Sequence, residues 1–261
     1  MSSDTPALAT NPKFIFFTDF DGTITMRDSN DYMTDNIGYG PERRRELNIE
    51  VLEGRWSFRN AFKDMLDSIH HPFEECIKLL CDNITLDAGF ADFFTYAQAN
   101  NIPVVVLSSG MTDIIRALLQ KLIGPAADDI QIIANTHRIN EDGSWDIIFH
   151  DESDFGHDKS RAIRPYHALP DNVRPTLFYA GDGVSDLSAA KETDLLFAKY
   201  GHDLITYCQR EKVPFTVFHT FKDIHAIVKD IVDGKTTAQE VAKKGAEEEA
   251  RRNEEKVETT K

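Results

Sequence analysis

Phe14-Ile15-Phe16-Phe17-Thr18-Asp19-Phe20-Asp21-Gly22-Thr23 is the stretch on which the fold turns. Four consecutive apolar residues stop abruptly at Thr18-Asp19, the pattern of a short buried strand whose carboxyl end delivers polar side chains. The design occurs twice more: residues 102–107 (IPVVVL) end at Ser108-Ser109-Gly110, and residues 176–179 lead to Gly181-Asp182-Gly183. Helical patterns follow these two, over 112–123 and 185–192. Strands alternating with helices imply an α/β fold with a parallel sheet, in which ligands bind beyond the carboxyl ends of the strands. Three polar clusters at three strand ends therefore predict one shared site.

Roughly eighty residues separate the first strand from the second, far more than a simple crossover needs. Within them 41–52, 57–69 and 73–83 read as helices. In the second, Phe58, Ala61, Phe62, Met65, Leu66 and Ile69 recur at the spacing of one apolar face. The expected organisation is a flexible N-terminus (1–12), a Rossmann-like core (13–26 and 85–233), a helical cap over 27–84, and a charged tail (234–261). That tail is read as a frayed helix or as disorder. A crossover helix over 89–100 returns to the core, and 130–139 with 144–149 form a β-hairpin turning at Asp142-Gly143.

Composition narrows the function classes. The 41% hydrophobic and 28% charged content of the 261 residues is that of a soluble globular protein. No apolar run approaches the roughly 18 residues of a membrane span. The first residues lack the basic and apolar regions of a signal peptide. Three unevenly spaced cysteines, Cys76, Cys81 and Cys208, argue against a disulfide framework or a zinc site and for a reducing, cytoplasmic setting. The net charge of −15 excludes a nucleic-acid partner, because phosphate backbones demand clustered Lys and Arg. An acidic protein that handles phosphate calls for a cation at its site.

In an extended segment, side chains two apart share a face, so Asp19 and Asp21 can enter one pocket. One carboxylate can attack phosphorus while the other protonates the leaving oxygen. Gly22 lets the chain turn away without steric cost. Asp182 and Asp186 offer two further carboxylates for a Mg²⁺ ion that offsets the phosphate charge. Ser108, with the amides of Ser109 and Gly110 near a helix start, can cradle phosphate oxygens. Lys159 supplies a point charge. Singly, each signal is commonplace: a solvated turn, a helix cap, a surface lysine. Their order, each at a strand end, is what points to a site.

Together, residues 19–25 (DFDGTIT), Ser108, Lys159 and residues 181–186 (GDGVSD) resemble the four motifs of the haloacid dehalogenase superfamily. The insert between the first two motifs resembles the cap of the phosphoserine phosphatase branch. The resemblance implies that Asp19 is phosphorylated and that Asp21 is general acid, then base. It also implies that Mg²⁺ is held by Asp19, the Asp21 carbonyl and Asp182, with Asp186 in support, and that Thr23 joins Ser108, Ser109, Gly110 and Lys159 at the phosphoryl group. Residues 19–40, 57–80, 151–163 and 179–208 look more specifically like the fungal polyol phosphatases of the superfamily, which act on small sugar-alcohol phosphates with Mg²⁺. These in turn resemble bacterial methionine-salvage phosphatases acting on an enol phosphate.

The cap separates these substrates. Phosphoserine phosphatases carry an arginine seven residues after a cap Phe; counting from Phe58, this chain has Met65. Nine places after the nucleophile, where they carry Glu, it has Asp28. A substrate carboxylate would lack its partner here, a deficit of about 2–5 kcal/mol, whereas Asp28 can accept from hydroxyls. The alternative is that Met65 merely packs and Arg55 or Arg59 takes the arginine's role. The expectation is a phosphatase of small polyol phosphates, with phosphoserine or an enol phosphate as alternative substrates and a non-catalytic binding protein as a further reading.

Overall fold

In the computed structural model, which describes residues 5–259, the opening apolar run is strand β1 (Phe14–Thr18). Residues 1–4 of the expected flexible N-terminus and 260–261 of the expected tail lie outside the described residues. The insert holds helices α1 (Ser29–Ile37), α2 (Pro41–Leu52), α3 (Phe58–Asp67) and α4 (Phe73–Asn83). There follow α5 (Phe90–Ala99), β2 (Val104–Met111), α6 (Thr112–Ile123), β3 (Gln131–Ile139), β4 (Trp145–Ile148) and α7 (Ser160–His167). The chain continues through β5 (Thr176–Gly181), α8 (Leu187–Ala190), β6 (Leu195–Lys199), α9 (Asp203–Glu211), β7 (Thr216–Phe218), α10 (Phe221–Val232) and α11 (Ala238–Thr259). These elements fall into two compact units.

One unit comprises Met1–Thr18, Ala88–Val104 and Ile163–Lys261. Its strands β1, β5, β6 and β7 pair in that order, all parallel, with Thr18 opposite Ala180. Helices cover both faces, which is why β1 reads as an unbroken apolar run rather than an alternating one. On one face Phe16 meets Phe93 of α5 at 4.6 Å and Phe221 of α10 at 6.3 Å. On the other, Phe17 packs edge-on against Tyr166 of α7 at 5.4 Å, and the Tyr166 hydroxyl accepts from the Ala7 amide at 3.2 Å. Residues 238–259 of the tail are helix, seated where a Cβ at Gly245 would collide with the Phe215 carbonyl.

The other unit comprises Asp19–Asp87 and Val105–Ala162. Here β3 serves two partners. Its first half runs parallel to β2, and its second half forms with β4 the expected antiparallel hairpin. The ladder between β2 and β3 slips between Ser108 and Met111, so that Asn135 lies opposite Met111. The stem of the insert is closed by an antiparallel bridge between Thr25 and Leu86, with the Met26 amide on Thr85 O and the Asp87 amide on Ile24 O. In α3 the buried residues include Ala61, Phe62, Met65 and Leu66, the face its periodicity marked. Helix α1 had no such apolar stripe. It starts because Asp28 caps it, accepting from the Asn30 and Asp31 amides at 2.8 and 2.9 Å.

Candidate active site

Beyond β1 the chain turns sharply at Gly22, whose φ of +75° only glycine adopts without strain, and the Gly22 amide donates to Thr25 Oγ1 at 3.0 Å. The turn presents two aspartates in different surroundings. Asp19 Oδ1 accepts from the Phe20 amide at 2.7 Å and pairs with Lys159 Nζ at 2.8 Å. The Lys159 side chain is wholly buried, and an ion pair at that depth is tolerated only when its partners are held in register. Asp21 instead faces the start of α1, whose N-terminus favours a carboxylate. Its Oδ1 accepts from the Ser29 amide at 2.7 Å and its Oδ2 from Asn30 Nδ2 at 3.0 Å. Thr23 is fully buried in the same turn.

The bulged end of β2 carries Ser108, Ser109 and Gly110. The Gly110 amide donates to Ser108 Oγ at 2.9 Å. A Cβ on Gly110 would lie 3.0 Å from Asp21 Oδ2 and 3.2 Å from Ser108 Oγ, so glycine is what lets the first two motifs meet. The carbonyl of Ser108 accepts from His157 Nδ1 at 2.9 Å, and that of Ser109 from Asn135 Nδ2 at 2.6 Å. Burial pushes His157 down to about 4, so the imidazole is neutral near pH 7. Because a carbonyl only accepts, its proton sits on Nδ1.

Asn30, Asn135 and His157 were not among the residues singled out from the sequence. Asn135 had a signal, a polar residue directly after the apolar run Ile132-Ile133-Ala134, since a polar group buried there must be hydrogen-bonded. Asn30, on a helix with no apolar stripe, had none.

In the first-described unit, β5 ends in the loop of Asp182 and Asp186. The buried Asp186 shapes it: Oδ2 accepts from the amides of Asp182 and Gly183, both at 3.0 Å, and Oδ1 accepts from the Tyr179 hydroxyl at 2.5 Å. Any Cβ on Gly181 would press on that carboxylate, at 2.6 Å. His202 Nδ1 lies 2.9 Å from Asp182 Oδ2, and this bond raises the imidazole above its usual range. Asp19 in one unit, and Asp182 and Asp186 in the other, each carry a carboxylate, a hard oxygen donor of the kind that suits Mg²⁺ rather than a soft metal.

The predicted cap residues are spread over two helices. Asp28 is half-buried and lines an open cavity of about 440 Å³ with Arg27, Asp31, Asp35 and Arg44. There Arg44 forms a fork on Asp35, at 2.7 and 2.8 Å, and also reaches Asp31 at 2.6 Å. Phe58 stacks on Phe62 at 5.5 Å, and Met65 is buried on α3. The two arginines named as alternatives are both engaged. Arg55 pairs with Glu50 at 2.6 Å. Arg59 donates to Asp151 O at 2.5 Å and lies 4.3 Å over the Phe149 ring.

The family model for haloacid dehalogenase-like hydrolases matches residues 16–191. The polyol phosphate phosphatase PYP1 of Saccharomyces cerevisiae is 52% identical over 236 residues, 88% of this chain and 98% of that protein. The Pdp3-interacting factor 1 of Schizosaccharomyces pombe is 51% identical over 219 residues, 84% of this chain and 96% of that one. Among solved structures, a phospho-aspartyl intermediate analogue of phosphoserine phosphatase matches with a TM-score of 0.60 at 18% identity. The match covers 82% of this chain and 97% of that one, and it shows a shared fold. None of the described helices is long and apolar enough to cross a membrane.

Proposed function

The chain belongs to the haloacid dehalogenase-like hydrolase family, and from that premise we propose that it is a Mg²⁺-dependent phosphatase of small sugar-alcohol phosphates, acting through a phosphoaspartyl intermediate on Asp19. The observation that carries the mechanism is the buried pair of Asp19 and Lys159. A carboxylate that must attack an anionic phosphoryl group needs a fixed cation beside the attacked oxygens, and Lys159 is that cation. An Asp19 oxygen forms the new bond to phosphorus as the bond to the alcohol oxygen breaks. Asp21 gives that oxygen its proton. Asp21 then takes a proton from the water that attacks the phosphoaspartate, releasing phosphate and restoring Asp19. Asn30 suits both states of Asp21, since a primary amide donates to a carboxylate and, turned over, accepts from the acid.

Ser108, Ser109, Gly110 and Thr23 hold the phosphoryl oxygens. Mg²⁺, held by Asp19, Asp182 and the Asp21 carbonyl with Asp186 in support, would offset phosphoryl charge. The register that sets Thr18 opposite Ala180 supports a common role for Asp19 and Asp182, each leaving the carboxyl end of its strand. Residues 27–84 serve as the cap, with Asp28, Phe58 and Met65 facing the substrate. The polyol class is supported by the 52% identity to a protein of that activity and by the absence of an arginine at position 65. The three free cysteines support a reducing, cytoplasmic setting.

The test is phosphate release from ribitol phosphate, sorbitol phosphate, phosphoserine and an aryl phosphate, compared as kcat/KM. The expected preference for a polyol phosphate over phosphoserine is at least about tenfold, with activity lost in chelator and restored by Mg²⁺. Phosphoserine turned over as well as the polyols would overturn the substrate class. Full activity in chelator would remove the metal.

A further inference from the structure

The carbonyls at the end of β2 are held from behind. Ser108 O accepts from His157 Nδ1–H at 2.9 Å and Ser109 O from Asn135 Nδ2–H at 2.6 Å. Both side chains are essentially inaccessible to solvent. The Asn135 amide cannot turn over without loss, because its Oδ1 accepts from the His150 amide at 2.8 Å. The described chain contains no cis peptide bond, so in each peptide unit the N–H points opposite to the C=O. Holding Ser108 O therefore aims the Ser109 N–H, and holding Ser109 O aims the Gly110 N–H. The second consequence is visible, since the Gly110 N–H meets Ser108 Oγ at 2.9 Å. That bond occupies one lone pair of the Ser108 hydroxyl and leaves its proton available to donate. Hydrogen bonds in such a chain also polarise one another, so a carbonyl that accepts makes its own N–H a stronger donor.

We infer that His157 and Asn135 are positioning residues that aim the Ser109 and Gly110 amides and the Ser108 hydroxyl at the phosphoryl group. The inference rests on the reading of residues 108–110 as the phosphate cradle. It assigns the cradle's orientation to two neutral donors, one just ahead of Lys159 in sequence and one on β3. A neutral donor suits the task, because it orders the peptides without adding a charge that would compete with Lys159 for the anion. The His157 Nε2 atom is buried and has no hydrogen-bond partner, so the ring, which also lies 4.6 Å from that of His150, is hydrogen-bonded through Nδ1. That makes the contact separable by substitution.

An asparagine at 157 places its Nδ2 near the Nδ1 position, whereas a glutamine places its nitrogen near Nε2. The probe is inorganic phosphate, measured as a competitive inhibitor of the Mg²⁺-loaded enzyme with an aryl phosphate as substrate. His157→Gln should raise the inhibition constant for phosphate and the KM about tenfold, while His157→Asn stays within about twofold of wild type. Thermal melting of each variant identifies those that are folded at the assay temperature. If His157→Gln is folded and binds phosphate as tightly as wild type, the inference is overturned. Should both His157 variants fail to fold, Asn135→Asp carries the test. Aspartate keeps the size and accepts from His150 but cannot donate to Ser109 O, so unchanged phosphate inhibition would overturn the inference. A wild-type enzyme that hydrolyses no phosphate ester would refute the proposed function instead, which keeps the two failures distinct.

Discussion

In the loops that carry Asp19, Ser108 and Lys159, polar side chains end on backbone: Asp19 on the Phe20 amide, Asp21 on the Ser29 amide, His157 and Asn135 on carbonyls of β2. The helical insert of the same unit is held otherwise. Lys63 pairs with Asp67, Lys78 with Asp82 and Arg43 with Glu46, all on exposed surface. Such pairs contribute about 0–1 kcal/mol each. Leu47 is the one residue of α2 that is buried, while Ile49 and Leu52 lie exposed. Side chains tied to backbone cannot move unless the chain moves, whereas exposed ion pairs exchange with water at little cost. The loops proposed to carry the chemistry rest on the first kind of contact, and the outer surface of the insert on the second.

The sharpest break in this comparison is at Asp19. Asp19→Asn leaves the shape of the loop and removes the attacking charge, so turnover should fall by at least about a thousandfold with the fold intact, as circular dichroism would show. A residual rate near wild type would mean that the buried pair is structural. The second effect is on stability, and it belongs to the rigid region. His157 titrates near 6.5 when unfolded and is pushed by burial to about 4 when folded, so between these values the unfolded chain binds more protons. Its contribution is therefore fully present above about pH 6.5 and is lost as pH falls toward about 4, by up to about 3 kcal/mol. Urea denaturation at about pH 7.5 and about pH 5 should show this slope in wild type and a shallower one in His157→Asn. Equal slopes would mean that another group governs acid unfolding.

The smallest effect concerns a further link between the regions. Arg59 of α3 donates to Asp151 O and caps the Phe149 ring, while Asp151 Oδ2 accepts from the Asp158 amide at 2.7 Å, one residue before Lys159. Arg59→Ala should lower kcat/KM for a polyol phosphate about three- to tenfold and an aryl phosphate less, with about 1–2 kcal/mol lost in stability. If both substrates suffer equally, the link serves Lys159 rather than the cap.

Much of this was legible in the residues alone. The apolar runs at 14–17, 102–107 and 176–179 placed β1, β2 and β5, and the apolar face of α3 was read from its spacing. These succeeded because burial on both faces of a sheet, or on one face of a helix, leaves a local periodic record. Helix α1 left none, since it is begun by a cap rather than by an apolar stripe. Nor was the double use of β3 readable, because a strand that is parallel to one neighbour and antiparallel to another has the same alternation in both halves.

The site divides in the same way. Asp19, Asp21, Ser108, Asp182 and Asp186 could be singled out from the sequence because each follows closely on an apolar run, and Lys159 because the proposed chemistry asks for a cation. His157, Asn135 and Asn30 were decided by the tertiary structure, since an orienting hydrogen bond can come from any donor that the packing brings within reach of its acceptor. Sequence separation holds no record of that: Asn135 reaches Ser109 across 26 residues and His157 reaches Ser108 across 49. The identity of the groups proposed to react is thus a local property of the chain. Their aim is a property of the fold, because direction in space is set by whichever distant segments pack behind them.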